Sequence, residues 1–142
     1  MIAMLTTTAN TNAAAISNST ISYTNSDGTA GRTATLTAIA GSQIPISPVI
    51  GTLTWFNLAA GDKGVRSIQS VTLNTSLVAG AVSFMITRDI ATIGTTIPNV
   101  TAQKVIGTPG IRLYNNTCML HCILASATTA TFFSGELTIM EK

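Results

Sequence analysis

From residue 32 onward, apolar and polar residues alternate over short stretches that are separated by residues typical of turns. Residues 32–38, for example, place three threonines on one face of a strand and Ala34 and Leu36 on the other. Because successive side chains of a strand point to opposite faces, this period of two predicts half-buried β-strands. No stretch sustains the apolar spacing of a helix. Strands are therefore predicted at residues 32–38, 50–58, 65–73, 81–88, 102–106, 111–114, 117–125 and 130–140.

The alternation is clearest in residues 65–73. A regular strand would place Val65, Ser67 and Gln69 on one face and Ile68 on the other. Turn signals bound this strand, since residues 59–64 contain two glycines and an aspartate.

Seven or eight short strands, spaced by about 10 to 15 residues with turn residues between them, indicate an all-β sandwich or barrel. We predict a jelly-roll-like antiparallel β-sandwich, which has eight strands in two sheets. The stretch 89–109 is long and rich in turn residues, which suits one of its connections. An immunoglobulin-like sandwich is the alternative, but the order of cysteines and tryptophan does not fit it.

The first 31 residues differ from the rest because they are poor in large apolar side chains and rich in Thr, Asn, Ala, Ser and Gly. We predict an extended N-terminal arm at residues 1–31, followed by the sandwich domain at residues 32–142. A disordered tail is the alternative, but such tails usually carry charge, which this segment lacks. Deletion of residues 1–25 is then expected to leave a folded domain.

Few charges are present: 46% of the 142 residues are hydrophobic and only 8% are charged, while Ser and Thr make up about a quarter. Free monomers usually carry more charge to remain separate. Hydroxyl groups cost less to desolvate than ions, so this composition favours a protein that stays docked to another surface. The net charge of +2 comes from scattered basic residues and argues against nucleic acid as a partner.

A membrane partner is also not expected. No stretch reaches the roughly 18 consecutive apolar residues of a transmembrane helix, and the few aromatic residues could not form the girdles of an outer-membrane barrel. The first residues lack the features of a signal peptide, so we expect synthesis and assembly in a cytoplasm.

Residues that could perform chemistry are few. His121 lies between Cys118 and Cys122 in an apolar run, and on a strand it would face away from both cysteines. A Cys–His pair or a zinc site is therefore not expected. No two of the carboxylates stand out as a catalytic pair, and no phosphate loop or nucleophile elbow is present. We expect no catalytic residues, no metal site and no cofactor. The carboxylates are Asp27, Asp62, Asp89, Glu136 and Glu141.

The neighbouring aromatic residues Trp55 and Phe56 must face opposite sides of a strand. Three interpretations remain open: both are buried between sheets, one contributes to a protein interface, or an outward Trp55 stacks on sugar. Together with Arg112 and Tyr114 they form the predicted candidate interface.

Two stretches of the chain resemble the small jelly-roll decoration, or cement, proteins of tailed-bacteriophage capsids. The first is Phe-Asn-Leu-Ala-Ala-Gly-Asp-Lys-Gly followed by the alternating strand Val-Arg-Ser-Ile-Gln-Ser-Val-Thr-Leu, at residues 56–73. The second runs from residues 111–116 through residues 127–130.

This resemblance implies a structural virion protein on the capsid exterior that bridges subunits of the major capsid protein. Its other partner would be itself, with a homotrimer favoured and a dimer possible. The alternative function is a phage tail or fibre component, or a carbohydrate-binding β module.

Overall fold

The computed structural model describes residues 1–37 and 43–88, and every regular element in these residues is a β-strand. The prediction of an all-β, antiparallel fold is confirmed. The predicted strands between residues 102 and 140 lie outside the described residues. The strands are β1 (Ile2–Thr8), β2 (Ile16–Ser17), β3 (Thr20–Asn25), β4 (Arg32–Leu36), β5 (Gln43–Ile44), β6 (Leu53–Asn57), β7 (Val65–Thr72) and β8 (Ala81–Ile86).

Six of these strands form one antiparallel sheet in the order β7-β3-β4-β6-β1-β8, and β2 pairs with β5 in a small second sheet. The large sheet is nearly closed, because partly buried apolar side chains of both outer strands, β7 and β8, pack against the same core. This architecture is consistent with a jelly-roll-like sandwich or barrel. The core residues are Ile2, Met4, Ile16, Ile21, Tyr23, Ala34, Ile44 and Phe56.

The prediction of an N-terminal arm at residues 1–31 is wrong. Strand β1 lies inside the large sheet between β6 and β8, and β3 lies between β4 and β7. Ile2, Met4, Ile21 and Tyr23 are completely buried. The segment has few large apolar residues, but these four lie on strands that have a neighbouring strand on both sides.

The face assignment within β7 is also corrected. Two register shifts against β3 leave Arg66 and Gln69 without a paired residue opposite them, as in β-bulges. Each bulge moves the alternation by one residue, so Val65, Ile68 and Val71 all pack against the core. The Gln69 side chain instead accepts hydrogen bonds from Ser22 Oγ and from the backbone amide of Gly31.

Other predictions are confirmed in whole or in part. The sequence Thr-Asn-Ser-Asp-Gly at residues 24–28 predicts a turn. The turn between β3 and β4 lies at residues 26–31, because β3 continues to Asn25, and Gly28 within it has a φ of 90°. Ala34 and Leu36 of β4 face the core, whereas Thr33 and Thr35 are exposed. Thr37, the third threonine of the predicted outer face, lies after the end of β4 and is buried. The predicted strand 50–58 is shorter in the structure, because residues 49–52 form a turn and β6 begins at Leu53.

Candidate docking surface

The strands of the large sheet end at two opposite ends of the domain, which differ in charge. The described residues contain six charged side chains, and all lie at the end where β1, β4 and β7 begin and where β3, β6 and β8 finish. We call this the charged end. The opposite end consists of residues 9–15, 45–52 and 73–80, which hold no charged side chain, and we call it the uncharged end. The charged residues are Asp27, Arg32, Asp62, Lys63, Arg66 and Arg88.

At the charged end, the carboxylate of Asp62 joins three elements of the fold. Its Oδ2 accepts hydrogen bonds from Arg32 Nε at 2.9 Å and from the Tyr23 hydroxyl, and its Oδ1 accepts one from Asn25 Nδ2 at 2.9 Å. The Tyr23 oxygen in turn accepts a hydrogen bond from the backbone amide of Ala59. The turn after β6 is thereby fastened to β3 and β4.

These contacts change the ionisation of the cluster. The hydrogen bond from Arg32, followed by those from Tyr23 and Asn25, lowers the pKa of Asp62 to about 2. Burial, followed by the hydrogen bond to Asp62, raises the pKa of the Tyr23 hydroxyl above its ordinary value. With these donors satisfied, the cluster is suited to holding the turn together.

A cleft of about 570 Å³ also lies at the charged end, lined by residues that include Met1, Lys63, Val65, Ile86 and Arg88. It lies near the start of β7 and the end of β8, the two outer strands of the large sheet. None of its lining residues is aromatic or acidic. The cleft therefore lacks the stacking ring of a sugar site and the carboxylate pair of a glycosidase.

At the uncharged end, the loop of residues 45–51 is held by hydrogen bonds to residues 6–12. Asn12 Nδ2 donates to Pro45 O at 2.9 Å, and Asn12 O accepts bonds from both the amide and the hydroxyl of Ser47. The amide of Asn10 donates to Pro48 O, at 3.1 Å. The loop thus has a fixed shape although it forms no regular strand beyond β5.

This loop ends in a tight turn that presents apolar side chains to solvent. The amide of Thr52 donates to Val49 O, and Gly51 has a φ of 89°, which a turn with glycine in its third position requires. Val49 and Ile50 are 67% and 68% exposed, and Ile46 earlier in the loop is 59% exposed.

A second loop at this end, residues 73–80, carries another exposed apolar side chain. Val78 is 73% exposed and has a φ of 64°, which is an outlier for a β-branched residue. The amide of Ala79 donates to Leu77 O, so Val78 is the central residue of a strained γ-turn. Gly80 then packs so closely against Ala9 and Asn10 that any Cβ at this position would meet backbone oxygens.

The predicted interface residues are placed differently. Phe56 is completely buried in the core, and Trp55 faces the other side of the sheet but is only 9% exposed. Neither therefore offers a ring for a sugar or an exposed anchor for a partner. Arg112, Tyr114, His121 and both cysteines lie outside the described residues.

Sequence reasoning missed the four exposed apolar residues of the uncharged end. A signal was present for Ile46 and Val49, which stand beside prolines and outside the predicted strands, whereas Ile50 was assigned to the predicted strand 50–58. The position of Val78 had no comparable signal. Residues 33–61 contain no charged side chain, and this gap could also have pointed to the end where their loops meet.

Within residues 1–37 and 43–88, no cluster of three or more His, Cys, Asp or Glu side chains could hold a metal ion. The same residues contain no helix of the length and hydropathy needed to cross a membrane. Comparison of the chain with protein-family models, with curated proteins and with solved structures finds no match.

Proposed function

We propose that this chain is a structural virion protein that decorates a bacteriophage capsid and stabilises it by bridging subunits of the major capsid protein. It acts as a homo-oligomer on the capsid exterior, and it performs no catalysis. Many repeated contacts over a shell would stabilise the assembled state by mass action.

The unequal distribution of charge is the observation that carries this proposal. The six charged side chains of the described residues lie at one end of the domain, and four of the five large apolar side chains that these residues expose lie at the other. A domain of this kind suits a protein with one end towards solvent and the other on a larger assembly. The hydroxyl-rich composition supports the same arrangement, because hydroxyls are cheaper to desolvate than ions.

A sugar-binding module is the weaker candidate, because the described residues expose no aromatic side chain to any large extent. A tail or fibre component would share the all-β fold. It would differ from a decoration protein in its attachment site on the virion, which can be measured directly.

The test is to add the purified full-length chain to heads assembled without it and to measure both binding and the temperature at which the heads rupture. We expect saturable binding and a higher rupture temperature. Heads that neither bind the chain nor gain stability would contradict the proposal, and binding only to tails would favour the alternative. Light scattering of the free chain is expected to show an oligomer.

A further inference from the structure

We infer that the uncharged end is the docking surface of this protein and that its partner is an uncharged, apolar hollow on the surface of the shell protein. This inference rests on the proposed function and specifies which residues would make the contact. They are Ile46, Val49 and Ile50 of one loop and Val78 of the other.

Charge is the first argument for this partner. The loops of the uncharged end contain no ionised side chain with which a partner could form an ion pair. A charged partner surface would lose its water without compensation, and the desolvation of an unpaired ion is strongly unfavourable. An apolar hollow has no such cost and gains from the burial of Val49 and Ile50, both of which are more than half exposed.

The shape of the loops is the second argument. Binding is weakened when mobile loops must be ordered, so a loop that is already fixed binds with less loss of entropy. Residues 45–51 are fixed through Asn10 and Asn12, and residues 73–80 are fixed where Gly80 packs against Asn10. Both loops are therefore anchored to the same segment, residues 8–12.

The strained turn at Val78 is the third argument. A β-branched residue at positive φ is strained, and such strain persists only where the surrounding structure imposes it, which is often at a functional site. Here the strained geometry directs an apolar side chain into solvent, at 73% exposure. A glycine would adopt this conformation without strain, so stability alone does not account for valine at this position.

The composition of this end argues against a lipid partner. Proteins that bind the membrane interface usually combine apolar side chains with Lys, Arg, Trp or Tyr. Residues 9–15, 45–52 and 73–80 contain none of these four residue types.

The experiment compares two variants of the full-length chain for decoration of heads that lack it. The double substitution Val49→Ser, Ile50→Ser removes the apolar turn at the uncharged end. Its control is Ile86→Ser, because Ile86 is 51% exposed but lies at the charged end. We expect the double variant to bind heads at least about tenfold more weakly, which corresponds to about 1.4 kcal/mol. We expect Ile86→Ser to bind like the unchanged chain.

Val78→Gly provides an independent test, because a loss of docking in this variant could not be explained by a loss of folding. Glycine relieves the strain at positive φ, so this variant is expected to melt at a higher temperature than the unchanged chain and still to dock more weakly. Binding of the unchanged chain should not decrease between about 50 and about 500 mM NaCl, because no ion pair is available at this end to be screened.

Other results would overturn the inference in recognisable ways. If the double variant decorates normally and Ile86→Ser does not, docking occurs through the charged end and the proposed function survives. If the double variant loses its oligomeric state in light scattering, the occupant is a second copy. Binding to phosphatidylcholine vesicles would identify lipid instead. If the unchanged chain does not bind heads at all, the proposed function itself fails.

Discussion

The two ends of the domain are built by different means. At the charged end, the side chain of Asp62 fastens the turn after β6 by accepting hydrogen bonds from Tyr23, Asn25 and Arg32. At the uncharged end, backbone groups and the amide side chain of Asn12 hold the loops. The second solution needs no ions, so it leaves a surface from which apolar side chains can project without a nearby charge. A loop can therefore be rigid and apolar together.

The largest expected effect comes from a variant that tests whether the N-terminal segment is part of the folded domain. We predict that deletion of residues 1–25 abolishes cooperative unfolding, because it removes β1 and β3 from inside the sheet. Truncation of one buried side chain such as Met4 costs about 2–5 kcal/mol, and a whole domain has only about 5–15 kcal/mol. Circular dichroism during urea titration measures the outcome. Thr7→Ala, at an exposed position of β1, is the control and should change stability by no more than about 0.5 kcal/mol. A folded deletion variant would restore the arm hypothesis.

An intermediate effect compares one glycine from each end. Gly80 and Gly31 both have positive φ, at 105° and 72°. A Cβ at Gly80 would lie 2.5 Å from Ala9 O and 2.8 Å from Thr8 O, whereas a Cβ at Gly31 would meet nothing within 4 Å. We predict that Gly31→Ala costs about 1–2 kcal/mol through backbone strain alone. Gly80→Ala should cost about 1–3 kcal/mol more, because backbone must also move. Equal costs in urea unfolding would show that the packing at Gly80 is not as tight as described.

The smallest expected effect is a pH-dependent change in stability at the charged end, and it appears only in acid. Because the pKa of Asp62 is lowered to about 2 in the folded protein, its carboxylate contributes stability at pH values above its ordinary pKa of 3.8. This contribution is lost as the pH falls from about 4 to about 2. We predict that Asp62→Asn is less stable than the unchanged chain at neutral pH and that the difference narrows over this range. A difference in stability between Asp62→Asn and the unchanged chain that stays constant over this pH range would contradict the assignment.

The sequence determined the fold class and most of the described strands from residue 32 onward. Strands β4, β7 and β8 were predictable because alternation and turn residues are properties of the local sequence. They do not depend on which strands pair with one another in the fold. The turn at residues 26–31 followed from its glycine-containing sequence for the same reason. Composition also indicated a surface with few charges, since this conclusion requires only a count of the charged residues.

Tertiary structure alone decided where β1 lies in the sheet, which side chains of β7 face the core and which end of the domain carries most of the exposed apolar residues. The burial of Ile2 and Met4 depends on β6 and β8, which are distant in sequence. The bulges of β7 depend on its register with β3. The charged side chains gather at one end because antiparallel pairing brings the starts of β4 and β7 to the same side, a consequence of strand order that local sequence does not contain.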